Sequence, residues 1–232
     1  MMKISSVLND FSMHYAIKDI MFALDIKNQN FYNSFSKVKR TPSRDNMLSS
    51  SVNASKYSIE SRKKWSKFDP NLPISLSCSN HHWDYSKWPK HQLSPQDSLK
   101  KYGYTTKVSI ETNCMLNPNW VGRFYLVTSD NDEVLSPAFL QKAHDDLMDI
   151  HYMILASNVS YLNPFIDYKV IKQSDIKILS MIAEGYNRES IASECYLTPR
   201  GVDYRILQLK KKLCANNSSS LIKSAYQNFL LS

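Results

Sequence analysis

Side chains that can hydrogen-bond to bases and phosphates recur along one short segment near the C-terminus. Arginine can hold guanine O6 and N7 in paired hydrogen bonds, glutamine can hold adenine in the same way, and lysine neutralises phosphates. The spacing places these side chains off the apolar stripe of a helix. We therefore predict contacts with bases in the major groove of double-stranded DNA by Arg200, Tyr204, Arg205 and Gln208. Lys211 and Lys212 are predicted to contact phosphates.

Three apolar periodicities predict the helices that position these residues. The third of these helices begins after Thr198, a predicted N-cap, and has Pro199 at its first position. It carries a core stripe at Val202, Ile206, Leu209 and Leu213. A shorter helix before it is capped by Asn187 and buries Ile191, Ala192 and Cys195. The first helix ends near Gly185 and buries Leu179, Ile182 and Ala183. A short helix, a tight turn and a polar-faced helix are typical of a helix-turn-helix.

This segment resembles the DNA-binding domain of the LuxR family of bacterial transcription regulators. The similarity rests on Leu179, Ala183, Glu184, Gly185, Ile191, Ala192, Thr198, Val202, Lys212, Leu213 and Asn217. Three positions depart from the family's usual residues: Gly201 replaces a threonine, Arg205 a histidine and Ser218 an arginine. The resemblance implies that Thr198 and Gly201 also lie at the DNA interface. Gly201 either permits close approach of the backbone to DNA or is tolerated without a role, and a three-helix unit with no nucleic-acid role is the alternative for the whole segment.

Composition favours a polyanionic partner and disfavours several other classes. The formal net charge is +8, no apolar run is long enough to span a bilayer, and residues 1–6 lack the apolar core of a secretory signal. The four cysteines show no paired spacing, so we expect reduced thiols and a cytoplasmic protein that does not bind membranes. With 4 glycines there is no Gly-rich phosphate loop and no nucleophile elbow, so we expect no enzyme activity and no catalytic residue.

A metal site is also not expected. Cys78, His81, His82 and His91 lack the second ligand pair of a structural zinc site. His144 and His151 share one face of a predicted helix, where a core or interface position is the simpler interpretation.

The N-terminal part is predicted to form an α+β domain, an α-β-α sandwich around an antiparallel sheet, ahead of an all-α four-helix helix-turn-helix domain. We predict a sensory and dimerisation domain at residues 1–160, a linker at 161–169 and the DNA-binding domain at 170–232. Helices are expected at residues 10–23, 58–65, 94–101 and 136–157, and strands at residues 31–38, 105–111 and 120–128, with a loop at 41–56.

This arrangement resembles the autoinducer-binding domain of quorum-sensing LuxR-type regulators. The similarity rests on Asp69–Pro70, on Trp83, on Tyr102–Gly103–Tyr104 and on residues 121–126. It implies that Asp69 accepts the amide hydrogen of an acyl-homoserine lactone and that Trp83 donates to the lactone carbonyl, with Tyr57, Trp65 and Trp88 around the ligand. The family's upstream Trp and Tyr are not clearly present. The alternatives are that Asp69 is a turn residue and that the tryptophans are core aromatics.

Two hypotheses follow. The first is a homodimeric, sequence-specific regulator of transcription that binds a DNA operator and responds to a small acyl signal, with no other cofactor and with RNA polymerase as a candidate partner. The second is a ligand-independent regulator whose N-terminal domain serves dimerisation or protein interaction. Candidate dimer interfaces are the helix at residues 136–157, through Phe139, Leu147, Ile150 and Ile154, and the last helix, through Leu221, Ala225 and Phe229.

Overall fold

The computed structural model describes residues 4–27, 44, 46–66, 68–89, 93–129 and 136–231, and side chains at 158 and 159 are left out. The chain divides into two compact units, residues 1–158 and residues 159–232. The strand predicted at residues 31–38 lies outside the described residues.

A five-stranded antiparallel sheet forms the centre of the first unit. Its strands are β1 (Asp19–Ile26), β2 (Leu48–Ser49), β3 (Asn80–His82), β4 (Thr106–Asn113) and β5 (Trp120–Thr128), in the order β2-β1-β5-β4-β3. Every residue of β1 and β5 is buried. Because side chains alternate along a strand, both faces of these two strands must be covered by other elements.

Helices cover both faces. They are α1 (Ile4–His14), α2 (Val52–Trp65), α3 (Asn71–Ser75), α4 (Pro95–Lys101) and α5 (Pro137–Leu162). On one face Tyr125 of β5 packs with Tyr57 of α2 and Leu99 of α4. On the other face the His151 ring of α5 lies 5.3 Å from the Phe22 ring of β1. The predicted α-β-α sandwich is confirmed.

The helix predicted at residues 10–23 is wrong. α1 ends at His14, Ala16 has a left-handed φ of 51°, and β1 begins at Asp19. A strand that is buried on both faces is an apolar run without alternation, so its periodicity does not distinguish it from a buried helix. The loop predicted at residues 41–56 also ends too late, because Ser51 accepts a hydrogen bond from the Ala54 N–H and starts α2.

The second unit is all-α. The end of α5 is followed by α6 (Pro164–Asp167), α7 (Gln173–Ala183), α8 (Arg188–Glu194), α9 (Pro199–Lys212) and α10 (Ser218–Gln227). The segment predicted as a linker therefore contains a short helix, which Asn163 caps through the Phe165 N–H. None of the described helices has both the length and the apolar character needed to cross a membrane.

The helix caps and the apolar stripe predicted for this unit are present in the structure. Asn187 caps α8 through the Ser190 N–H, and Thr198 caps α9 through the Gly201 N–H at 3.1 Å. The predicted stripe of α9 is buried, with side chains 0–5% exposed at Val202, Ile206, Leu209 and Leu213. The expected face of α7 is partly wrong: Ile178, Leu179 and Met181 are buried, whereas Ala183 is exposed. The four-helix unit with a helix-turn-helix is nevertheless the predicted one.

Candidate functional site

One face of α9 points into solvent and carries four of the eight residues predicted to contact DNA. Arg200 and Lys211 are exposed, Tyr204 is 63% exposed, and Gln208 is half-buried. Steps of four, four and three residues keep these side chains on one side of the helix. Leu207 lies among them and is 50% exposed. We call these five residues the outer face of α9. Leu207 was not predicted from the sequence, where its only signal is a position outside the buried stripe.

Arg205 and Lys212 are placed differently from the outer face. The Arg205 guanidinium donates to Asp175 of α7, with Nη1 2.9 Å from Oδ1, and Lys212 Nζ lies 3.5 Å from Oδ2 of the same carboxylate. Asp175 is 1% exposed and also accepts the Lys172 N–H at 3.1 Å. A buried carboxylate needs cations and donors nearby. In this structure Arg205 and Lys212 hold α9 against α7.

The N-terminus of α9 uses its polar groups internally. The Thr198 hydroxyl accepts the Gly201 N–H, so the hydroxyl oxygen serves the cap. A Cβ added to Gly201 would lie 3.3 Å from that oxygen, so the glycine keeps this turn uncrowded. Gly201 has no left-handed φ. The structure therefore relates Gly201, which replaces the family's usual threonine, to close packing at the cap and not to backbone strain.

The first unit brings Asp69 and Trp83 together, and they bond to each other. Asp69 is 7% exposed, and its Oδ2 accepts the Trp83 indole N–H at 3.2 Å and the Tyr85 hydroxyl at 2.8 Å. Its Oδ1 accepts the Asn71 N–H at 2.9 Å, the contact expected of a turn residue before Pro70. Both oxygens and the indole donor are thus used within the chain.

The other predicted pocket residues surround this pair. Tyr57 is buried, with its ring 5.4 Å from that of Tyr104, and burial raises the pKa of its hydroxyl above the usual range. Trp88 packs against the same aromatic cluster, and its ring is 6.1 Å from that of Trp65. Trp65 donates its indole N–H to Ser98 Oγ at 2.7 Å. The predicted residues therefore lie in one neighbourhood, and most of their polar atoms contact the protein.

Lys107 is the residue of this neighbourhood that the sequence analysis missed. It lies on β4, is 9% exposed, and its Nζ is 4.0 Å from the ring centroid of Trp83, 5.1 Å from that of Tyr125 and 5.8 Å from that of Tyr57. Burial lowers the pKa of Lys107 to about 8, although the nearby Asp69 opposes the shift. Its pairing with the buried Val127 of β5 is a tertiary contact, so no local pattern in the sequence signals the burial of Lys107.

Other charges on this face of the sheet are paired. Arg123 is 1% exposed and donates to Asp25 at 3.2 Å, to Glu111 at 3.0 Å and to the Ser75 carbonyl at 2.6 Å. Arg44 also donates to Asp25. These contacts satisfy the guanidinium of Arg123 with carboxylates and a backbone oxygen. The network ties α3 to the sheet and has a structural role.

The buried histidine of α5 has a structural environment. His151 is fully buried, its Nδ1 lies 3.0 Å from Thr112 Oγ1, and burial lowers its pKa to about 4. The close approach of its ring requires Gly122, where an added Cβ would meet Nδ1 at 2.7 Å. Within the described ranges, no group of three or more His, Cys, Asp and Glu side chains could hold a metal ion, and His91 lies outside those ranges.

A shallow concave groove lies on the other face of the sheet, between α1 and α5. Its volume is about 330 Å³, and it is lined by apolar and acidic side chains: Val7, Asp10, Phe11, His14, Tyr15, Asp146, Asp149 and Ile150. The Tyr15 hydroxyl donates to Asp146 at 2.7 Å, and burial together with this bond raises its pKa to about 12. Ile150, which was predicted from the sequence as a dimer-interface residue, lines this groove, whereas none of the predicted ligand-binding or DNA-binding residues does.

Comparison with solved structures identifies the fold. The crystal structure of Escherichia coli SdiA is similar over 100% of this chain and 93% of that chain, with a TM-score of 0.50 and 15% identity. SdiA in complex with octanoyl-rac-glycerol gives 0.49 and 15% over 100% of this chain and 91% of that chain. A phage VqmA–DPO complex gives 0.26 and 14% over 55% of this chain and 49% of that chain.

At this identity the likeness to SdiA concerns the fold. It confirms the α+β fold that the resemblance to LuxR-type regulators implied. No family model matches the chain, and neither does any curated protein sequence.

We predict that the charge of Lys107 weakens the folded state at neutral pH. Its pKa falls from 10.5 in the unfolded chain to about 8 in the folded chain, so the unfolded chain binds more protons between these values. Wild-type stability should therefore rise with pH in this window, by about 2 kcal/mol between pH 7 and pH 9.5 relative to Lys107→Met. Urea unfolding of both proteins measures the difference. The exposed Lys100→Met variant is the control, and a pH-independent difference for Lys107→Met would refute the prediction.

We predict that Asp175 stabilises the second unit. Asp175→Asn removes the anion that holds Arg205 and Lys212, and should lower the free energy of unfolding by about 1–3 kcal/mol. The matched control is Asp203→Asn, because Asp203 pairs with Arg188 at 2.8 Å but is an exposed side chain. That control should change stability by less than about 0.5 kcal/mol. Equal effects of the two substitutions in thermal or urea unfolding would contradict the role of Asp175.

Proposed function

We propose that this chain is a LuxR-type transcription regulator, a cytoplasmic and non-enzymatic homodimer that binds double-stranded DNA through its second unit. The observation that carries this proposal is the outer face of α9. Its stripe of exposed polar and cationic side chains stands on a helix that is capped at Thr198 and packed through its opposite side. A helix presented in this way fits the major groove, which is wide enough for one α-helix.

The residues of the outer face divide by chemistry. Arg200 and Gln208 are assigned to base edges, because guanidinium and carboxamide groups form paired hydrogen bonds there. Tyr204 contacts the groove beside them, and Leu207 suits an apolar contact such as a thymine methyl group. Lys211 is assigned to a phosphate. These assignments keep four of the residues predicted from the sequence.

Arg205 and Lys212 receive a different assignment from the one that the sequence favoured. Their contacts with Asp175 make them positioning residues that set how α9 stands on α7. Thr198 and Gly201 lie at the N-terminal end of α9, where backbone N–H groups favour a phosphate. Their proposed contribution is the shape of this end of the helix.

A single α9 reaches about one half-site, so useful specificity requires a dimer. Of the interface residues named from the sequence, Leu147, Ile154, Leu221 and Ala225 are each at most 1% exposed and pack in the interior of the folded chain. Phe139 and Phe229 are half-buried and stay candidates for the proposed interface. RNA polymerase remains a proposed further partner for a regulator of transcription.

The first unit has two candidate roles. The first is to sense a small acyl signal in the neighbourhood of Asp69 and Trp83. The second is to serve dimerisation or protein interaction without a ligand. The hydrogen bond between Trp83 and Asp69 favours the second role over recognition of an acyl-homoserine lactone, because an indole has one N–H donor and Trp83 already donates it to Asp69.

We predict that Arg200 and Lys211 affect DNA binding in different ways. A preferred site is first selected from random duplexes, and affinities for this site and for random DNA are then measured by fluorescence anisotropy. Arg200→Ala should lose about 1–3 kcal/mol of discrimination between them. Lys211→Ala should weaken both about equally and reduce the salt slope by about 1. Lys223→Ala, an exposed lysine of α10, is the control. Equal losses on both DNAs for Arg200→Ala would remove it from the base contacts.

We also predict a two-fold complex on the selected site. Half-sites should be separated by about one helical turn, roughly 10 base pairs, because two copies of α9 must enter successive major grooves on one side of the duplex. Sedimentation should give two chains for each full-site duplex and a loss of affinity when the spacing changes by five base pairs. One chain for each duplex at micromolar concentration would rule out the dimer.

A further inference from the structure

Three polar groups on the α2-facing side of the first unit lack the partners that buried groups normally have. Lys107 is 9% exposed, and its ammonium contacts three aromatic rings without a carboxylate oxygen within 4.0 Å among the described residues. Ser109 Oγ and Trp88 Nε1 are buried and have no hydrogen-bond partner in the described part of the chain. Buried polar groups of this kind usually bind something that completes their hydrogen bonds.

The three groups share one neighbourhood. Lys107 and Ser109 are two residues apart on β4, so their side chains leave the sheet on the same face, about 7 Å apart along the strand. Ser109 lies opposite Tyr125, whose ring is one of those around the Lys107 ammonium. Trp88 packs against the cluster that contains Tyr57, Trp83 and Tyr125.

The missing chemistry is that of a hydrogen-bond acceptor. An ammonium and an indole N–H can only donate, and a hydroxyl can donate as well. The nearby carboxylates are already in use: Asp69 accepts three hydrogen bonds, and Asp25 and Glu111 accept from Arg123. A neutral lactone amide would bring an N–H that needs its own acceptor. A group that only accepts, and that carries the charge opposite to an ammonium, fits better.

We propose that the first unit binds a small carboxylic acid, whose carboxylate accepts hydrogen bonds from Lys107 and Ser109. The apolar body of the acid lies among the aromatic rings of Tyr57, Trp83 and Tyr125. This inference rests on the proposed function and selects the first of the two candidate roles of the first unit, with a signal that is a carboxylic acid and not an acyl-homoserine lactone. Lys107 is the residue that sets the specificity for an acid, and Asp69 is a positioning residue that holds Trp83.

The test compares acids with their primary amides, which have the same body without the negative charge. Hexanoate, octanoate, decanoate, phenylacetate and indole-3-acetate are each paired with the amide and titrated into the full chain by calorimetry. At least one acid should bind the wild-type chain tenfold or more tightly than its amide, as expected for loss of a charged hydrogen bond. The Lys107→Met variant should lose this preference, and the exposed Lys100→Met variant should keep it.

A second substitution separates binding from folding. Ser109→Ala removes a hydroxyl without a partner, so it should keep the thermal stability of the wild type while weakening the same acid several-fold. The inference is overturned if acid and amide behave alike in every pair, or if Lys107→Met retains acid binding while folded by circular dichroism. DNA binding to the selected site is measured in parallel. Intact DNA binding without acid selectivity would defeat this inference alone, whereas acid selectivity without DNA binding would defeat the proposed function.

Discussion

The packing on the α2-facing side of the sheet depends on the hydrogen bonds that the Asp69 carboxylate accepts. This carboxylate gathers the backbone of Asn71, the indole of Trp83 and the hydroxyl of Tyr85, and so joins α3 to the segment that follows β3. A buried carboxylate in this position must be satisfied, and here the chain itself supplies every donor. The orientation of Trp83 follows from this, and with it the aromatic surface on which the Lys107 ammonium rests.

A second buried carboxylate has the corresponding role in the C-terminal unit. Asp175 lies in the first turn of α7 and attracts two cations from α9, a helix that is distant in sequence. The cost of burying a charge without a partner makes this pairing strong relative to an exposed pair. It separates two basic residues that fix the helix, Arg205 and Lys212, from two that remain on its outer face, Arg200 and Lys211.

A shared fold does not determine the function of a site. The chain has the fold of SdiA at 15% identity. Within this fold, the α2-facing side of the sheet carries a buried lysine and a salt-bridge network around Arg123. The fold determines where a site can be, and the residues of the site determine its chemistry.

The sequence by itself determined the features that depend on neighbours within about one helical turn. The caps at Asn187 and Thr198 and the stripe beginning at Val202 were predicted, because a cap bond spans three residues and the stripe repeats every three to four. The tertiary structure decided the rest. Arg205 meets a carboxylate 30 residues away, the Asp69–Trp83 bond spans 14, and β1 is buried on both faces by distant elements. No local pattern encodes such contacts, since they exist only once the chain has packed.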